Sequence, residues 1–377
     1  MARKPVKKSL GKETVVSSPL MDSIRIVTDG IADITSIADA PPIQFVSTVI
    51  SSFNRASIIG GFPVGLITLI HGPYAEGKTL LAMSILKSFA ERGHIGVYFD
   101  AENAGDTHNW FSAILGEYSG LVSYKRPGFL ENMEADVDKM ITNFKKGKKA
   151  GNIDENACLM FVVDTINKAV PKDNIKTIKK ADDVNARGYP VNAMMISNWL
   201  DHLTPQLGAD NIGLIMIAQE RDDLNRDKQF WEQESPWRVK GGKSIMYDSS
   251  LIIRCRKGAT IKSGEKDGKR EIGKELKFEF RKNKVAHPGG TGSIFISNGE
   301  GGVPKGLDYV REYVKEARDR GIIIMEGKGH YRCDELGLQV YGENKLFDTL
   351  QDDPASTKRL KELLDNQIHS NMHARML

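Results

Sequence analysis

The chain has 377 residues and a formal net charge of +4, with 40% hydrophobic and 27% charged residues. That is an ordinary globular composition, and it excludes collagen-like and low-complexity classes. The charge is too small for a globally basic nucleic-acid binder. Residues 1–12 alone hold five basic residues and no acidic one, so the remainder is close to neutral.

The longest apolar runs, at 65–70 and 212–218, fall far short of a membrane helix, so no membrane partner is expected. Cys158, Cys255 and Cys333 are odd in number and far apart, which argues against a disulfide framework or zinc cluster. An intracellular, reducing setting is expected. Residues 1–20 read as a flexible basic tail without the apolar stretch of a secretory signal. An organellar transit peptide is the alternative reading of the same start.

Residues 23–27 (SIRIV) alternate as a short strand, and the breakers at 39–42 (DAPP) precede the next ordered stretch. From about Thr48 to Asn298 short apolar runs alternate with helix-length segments, which predicts an α/β fold with a mostly parallel central sheet. Runs at 65–70, 95–99, 159–163, 212–218 and 250–254 predict strands buried on both faces. Residues 274–280 and 292–296 predict further strands, antiparallel. Residues 261–274, rich in Gly, Lys and Glu, predict an exposed hairpin loop. A Gly-rich boundary at 299–306 precedes helical periodicity at 307–320 and 355–368, which predicts a small α+β C-terminal domain. The expected division is therefore 1–40, 41–304 and 305–377.

The strongest local signal is Gly72-Pro73-Tyr74-Ala75-Glu76-Gly77-Lys78-Thr79, which fits G-x-x-x-x-G-K-[ST] and opens a helix with Leu80. An apolar strand runs in and a periodic helix runs out. Such a loop wraps phosphate with inward N–H groups at the positive end of a helix. Lys78 adds a point charge for the β- and γ-phosphates, and Thr79 offers a hydroxyl to Mg²⁺. Asp164, ending the run 159–163, is the expected second metal-site residue. Glu102 follows the run 95–99. By spacing alone it is either a general base for water or a cap on the next helix.

Together these segments resemble the RecA family of recombinases. The resemblance covers GGFPVGLITLIHGPYAEGKTLL (60–81), GVYFDAENAGD (96–106), MFVVDTINKAVPK (160–172), IMIAQER (215–221), FRKNKVAHP (280–288) and the stretch 306–354, all in the family's order. It implies a P-loop RecA-like core, a short N-terminal polymerisation segment, to which 23–27 would correspond, and a small C-terminal domain. It implies ATP and Mg²⁺ as cofactors. Glu102 becomes the catalytic glutamate, and Gln219 the residue that senses the γ-phosphate. Lys282 and Lys284 become the pair that reaches ATP held by a neighbouring subunit. Asp106 belongs to the matched segment and is an expected nucleotide contact. The family's adenine-stacking tyrosine falls near Asn109. The neighbouring Trp110 either substitutes for it or packs its helix.

The family's two DNA-binding loops correspond to 172–187 and 221–243. The first supplies Lys176, Lys179, Lys180 and Arg187 as expected DNA contacts. The second supplies Arg221, Arg226, Trp231, Trp237, Arg238, Lys240, Gly241, Gly242 and Lys243. Aromatics among Lys and Arg suit backbone contact and base stacking. The implied partners are single-stranded DNA, homologous duplex DNA, further copies of the chain in a helical filament, and single-strand-binding and mediator proteins.

The implied activity is DNA-stimulated ATP hydrolysis coupled to strand exchange. A hexameric helicase and an ATP-switched DNA coat are the competing readings. Asn103 in place of the family's histidine, longer DNA loops and a C-terminus without an acidic tail mark a divergent member, of a kind a bacteriophage encodes. The expected location is the cytoplasm of a bacterium or of a phage-infected host.

Overall fold

The computed structural model describes residues 26–29, 43–105, 109–172, 188–222, 237–239, 244–263 and 270–376. The chain divides into two units, Met1–Pro42 and Ile43–Leu377.

In the first unit, residues 26–28 are helical, and the N–H of Asp29 donates to the carbonyl of Ile26 at 3.4 Å. The strand expected over 23–27 is therefore not formed at Ile26 and Val27; residues 23–25 lie outside the described residues. A strand needs a partner for its N–H and C=O groups, whereas a helical turn satisfies them locally. Among the described residues no strand pairs with this segment.

The second unit opens with β1 (Phe45–Val46), α1 (Ser51–Ala56), β2 (Phe62–Pro63), β3 (Ile67–Gly72), α2 (Lys78–Ala90) and β4 (Ile95–Asp100). It continues through α3 (Trp110–Leu115), β5 (Val122–Lys125), α4 (Leu130–Lys149), β6 (Leu159–Asp164), α5 (Gly188–Leu207), β7 (Ile212–Asp222), β8 (Trp237–Val239) and α6 (Ser244–Asp248). Then come β9 (Leu251–Ser263), β10 (Arg270–Asn283), β11 (Thr291–Ser297) and β12 (Gly306–Leu307). The last stretch is α7 (Tyr309–Asp319), β13 (Ile324–Glu326), β14 (His330–Cys333), β15 (Leu338–Tyr341), α8 (Glu343–Asp352) and α9 (Pro354–Met376).

The main sheet has the order β12-β11-β10-β9-β3-β7-β6-β4-β5, with β8 paired to β7. From β9 to β5 neighbours are parallel; from β9 to β12 they are antiparallel. All six residues of β3 and of β6 are buried, because helices cover both sheet faces. Ile70, Ile215, Ile217 and Ile253 pack with α2 on one face. Leu69, Leu214, Met216 and Ile252 pack on the other, with α4 and α5. Helix α4 presents Leu130, Met133, Val137, Ile141 and Phe144, spaced by three and four, as its apolar stripe.

Two regions depart from the sequence pattern. β5 is an edge strand with three exposed residues, so it carries no apolar run. The segment 261–274 is largely strand: β9 reaches Ser263 and β10 begins at Arg270, leaving 264–269 outside the described residues. Lys262, Glu271 and Lys274 are exposed positions of this ribbon. Gly273 is not a turn residue either, since a Cβ there would lie 2.3 Å from the Ile296 carbonyl oxygen on β11.

Beyond β12, α7 and α9 cover the expected helical segments. Between them lie α8 and the antiparallel sheet β13-β14-β15, around a cluster including Val314, Ala317, Leu346 and Leu364. The polar side of α7 meets α1. Glu312 Oε1 accepts the Ser52 N–H at 2.7 Å, and Oε2 accepts that of Ser51 at 3.3 Å. Helix α1 has no side-chain cap of its own, so a carboxylate about 260 positions away satisfies its first N–H groups. Glu316 pairs with Arg55, and the Tyr313 hydroxyl donates to the Val49 carbonyl at 3.2 Å.

Candidate functional site

The site forms where β3, β4 and β6 end beside Gln219 of β7, the place where open parallel sheets bind ligands. β3 stops at Gly72 and α2 begins at Lys78. Gly77 has φ +77°, and a Cβ there would lie 2.2 Å from Leu276 Cδ1. The loop therefore needs glycine for both its backbone conformation and its packing. Lys78 is buried and donates from Nζ to the Pro73 carbonyl at 2.6 Å, across the mouth of the loop. Burial lowers its pKa; the carboxylates of Asp164 and Glu102 act in the opposite sense.

Asp164 at the end of β6 is buried. Its Oδ2 accepts from the Thr79 hydroxyl at 2.5 Å and the Tyr98 hydroxyl at 2.8 Å. Burial raises its pKa to about 6, against the pull of those two hydrogen bonds. Thr79 and Asp164 bring hard oxygen donors side by side, a set that fits Mg²⁺. No group of three or more His, Cys, Asp or Glu among the described residues could hold a metal unaided.

Glu102 sits just past β4. The N–H groups of Ala101 and Glu102 donate to the Asp164 carbonyl at 2.8 and 3.1 Å. Its Oε1 accepts from Gln219 Nε2 at 2.9 Å and from the Thr165 hydroxyl at 3.1 Å. Gln219 lies on β7 in register with Gly72, beside the first residue of the phosphate loop. The chain before α3 is held by Asp100, which accepts the N–H groups of Ala104 and Gly105 and the Tyr124 hydroxyl.

A cleft of about 300 Å³ runs between these groups. Tyr74, Ala75, Glu76, Gly77, Lys78, Thr79 and Leu80 line one side of it, and Glu102, Asp164, Thr165 and Gln219 another. Trp110 also lines it, half-buried, with Lys305 Nζ 4.5 Å from its ring centroid. Gly72 and Pro73, at the start of the loop, are not among the residues lining the cleft.

Tyr98, Thr165 and Asp100 belong to the site without a sequence motif to mark them. Tyr98 and Asp100 occupy alternate positions of one strand, so both side chains leave the same face. That spacing was the available signal.

Residues 28–303 match the model of the RecA N-terminal domain. The chain belongs to the RecA family. Protein RecA of Sulfurovum sp. (strain NBC37-1) is 28% identical over 328 residues, covering 87% of this chain and 83% of its own. Protein RecA of Mycoplasma pneumoniae is 24% identical, covering 87% and 88%. Protein RecA of Sulfurimonas denitrificans is 29% identical, covering 71% and 70%.

Lys282 and Lys284, the pair expected to reach ATP held by a neighbouring subunit, lie away from this subunit's own phosphate loop. Lys282 is in register with Ile252 on β9, three residues before Cys255, whose carbonyl adjoins Gly72. At about 3.3 Å per strand residue that is roughly 10 Å back along the sheet from the phosphate loop. Lys282 Nζ donates instead to the carbonyls of Met246 and Tyr247, each at 3.0 Å, closing α6. Lys284 lies beyond it and is exposed.

Asp106 and the expected DNA contacts Lys176, Lys179, Lys180, Arg187, Arg226, Trp231, Lys240, Gly241, Gly242 and Lys243 lie outside the described residues. Arg221, Trp237 and Arg238 belong to strands rather than to a loop: Arg221 pairs with Arg238, and Asp222 with Trp237. The stem closes because Val239 is buried in the same core as Ile245. No described helix is long and apolar enough to cross a membrane.

Proposed function

We propose that this chain is an ATP-driven DNA recombinase that assembles as a helical filament on single-stranded DNA, pairs it with homologous duplex and exchanges strands. The observation that carries the reading is the Gln219–Glu102 hydrogen bond at 2.9 Å beside the phosphate loop. It joins a candidate general base to a strand that leads directly into the β7–β8 stem. RecA-family membership supports a RecA-like ATPase and recombinase at that level.

On this reading Gly72–Thr79 holds the phosphates of ATP through loop N–H groups and Lys78. Thr79 and Asp164 hold Mg²⁺, which when bound neutralises charge on the β- and γ-phosphates. Glu102 takes the proton of the water that attacks the γ-phosphorus, and Gln219 orients that water and reports whether the γ-phosphate is present. The face of Trp110 receives the base. Lys282 and Lys284 serve ATP on a neighbouring subunit; their distance from their own phosphate loop supports this. The segments at 172–187 and 221–243 contact DNA. Residues 1–40 act as tail and polymerisation segment, 41–304 as the ATPase core and 305–377 as the small C-terminal domain. The cytoplasm of a bacterium or of a phage-infected host is the site of action.

The test is ATP hydrolysis by wild type and Glu102→Gln, with and without single-stranded DNA. Wild-type turnover should rise with DNA. Glu102→Gln should keep ATP-dependent DNA binding and lose turnover by about 10²- to 10⁴-fold, the usual contribution of general-base catalysis. Wild-type hydrolysis indifferent to DNA would sink the proposal. Electron microscopy with a slowly hydrolysed ATP analogue then separates filaments from the closed rings of a helicase.

A further inference from the structure

One step behind Gln219, on the other face of the sheet, lies a polar cluster that the nucleotide site does not use. His71 on β3 is in register with Ala218 on β7 and Arg254 on β9. Alternation puts Glu220, two residues after Ala218, on the same face as those three. Glu220 Oε1 lies 2.9 Å from His71 Nδ1 and accepts from Arg254 Nε at 2.7 Å; Oε2 accepts from Arg254 Nη2 at 2.9 Å. The side chains of His71, Glu220 and Arg254 are 0%, 5% and 16% exposed. Burial alone would raise the Glu220 pKa, but the bonds from His71 and Arg254 outweigh it and hold the carboxyl at about 2. Burial lowers the pKa of His71.

Three ionisable groups here occupy the end of an otherwise apolar sheet face, continuing the rows of Leu69, Met216 and Ile252. Apolar residues of similar volume usually serve stability at least as well as a buried ion pair. What the charged set adds is direction, because a two-pronged guanidinium–carboxylate pair fixes one relative placement of β7 and β9. Glu220 is also in register with Val239 of β8, and its neighbour Gln219 holds Glu102. One residue therefore connects the phosphate-loop strand, the strand bearing Gln219, the β7–β8 stem and β9.

We propose that Glu220 is a positioning residue. By fastening β7 to His71 and Arg254, it makes Gln219 and the β7–β8 stem move as one body, so that a displacement of Gln219 relative to Glu102 reaches β8. The inference rests on the ATPase reading above and adds the element that transmits nucleotide state.

The experiment uses the full chain with poly(dT) as DNA. Three proteins are compared: wild type, Glu220→Gln, and the apolar triple variant His71→Phe/Glu220→Leu/Arg254→Leu. The triple variant leaves no unpaired buried charge, so it keeps the test valid where Glu220→Gln folds poorly. Both variants should bind the ATP analogue with wild-type affinity to within about threefold. Both should lose DNA stimulation of hydrolysis by about tenfold or more, within the range of coupling between distinct sites. Hydrogen exchange at 237–239 should respond to the analogue in wild type and not in the triple variant. A folded triple variant with wild-type stimulation and a wild-type exchange response would overturn the proposal. Absence of stimulation in wild type would instead fail the ATPase reading.

Discussion

Glu312 supplies a pH test of how α7 is docked on α1. Its carboxylate is 5% exposed and has two backbone N–H groups as partners. Burial raises its pKa to about 7, with the nearby charge of Glu316 acting in the same sense, against the pull of the Ser51 and Ser52 bonds. The folded chain thus holds this proton more tightly than the unfolded chain, where an ordinary glutamate titrates near 4.5. The stabilisation is complete below about pH 4.5 and is lost as the pH rises through about 7. A shift of about 2.5 units at 1.36 kcal/mol per unit amounts to about 3 kcal/mol. Glu312→Gln keeps an acceptor for the Ser52 N–H and has no proton to lose, so it mimics the neutral acid. Unfolded Glu312 is already mostly ionised at pH 5, so raising the pH from 5 to 8 should cost wild type about 2.5 kcal/mol more than the variant. That is a relative fall in Tm of about 5–10 °C, at 2–4 °C per kcal/mol. Asp164, whose pKa is also raised by burial, to about 6, slopes the same way in both proteins and cancels in the difference. Thermal unfolding of both proteins at the two pH values decides the matter. A difference between wild type and variant that is the same at pH 5 and pH 8 would refute the shifted titration of Glu312.

Tyr98→Phe removes only the hydroxyl that donates to Asp164 Oδ2 at 2.8 Å. It should lower stability by about 1.5–3 kcal/mol, the usual worth of a hydrogen bond to a charged group. It should also raise the Mg²⁺ concentration needed for half-maximal hydrolysis; a Mg²⁺ titration and a melt in which neither changes would mean that the phenol does not hold the carboxylate. Lys282→Ala frees the carbonyls of Met246 and Tyr247 and should cost about 1 kcal/mol. At protein concentrations too low for assembly the variant should bind ATP as wild type does, while DNA-stimulated hydrolysis in the assembled state falls. Weaker ATP binding by the isolated subunit would contradict a role at the subunit interface.

The phosphate loop could be read directly because its function is local: strand, glycine turn, lysine and helix follow one another within a few residues. Glu102 could not be settled that way, because a carboxylate after a strand serves equally well as a helix cap. What singles it out is Gln219, 117 positions away, whose amide meets it only once β4, β6 and β7 align. The same limit hid Tyr98, which looks like any strand aromatic until β6 brings Asp164 beside it. The ribbon β9–β10 was misread for another reason. Gly258 and Gly273 allow close strand approach and Lys262, Glu271 and Lys274 are exposed, so its composition mimics a loop, while bulges at 271/273 and 274/276 break the alternation that marks a strand. In contrast, α4 and α7 keep one apolar and one polar face, and a period of 3.6 survives any context.

The buried cluster also bears on how the site is aligned at all. β3 and β7 pair from Ile67 with Leu214 to Gly72 with Gln219, and both faces of β7 are apolar over that length. Apolar residues on both faces specify register weakly, since a slip of one residue exchanges one set of apolar side chains for another. The end of the strand is different. A one-residue slip would turn Glu220 toward the face that packs on α2 and bring Gln219 against Arg254 and His71. Arg254 would then be buried without its carboxylate, which costs about 3–5 kcal/mol. That penalty exceeds what the interchangeable aliphatic residues could return. The Glu220–Arg254 pair therefore favours the register that lets Gln219 reach Glu102, acting from the opposite face. A charge pair outside the cleft thus bears on the alignment of the side chains within it.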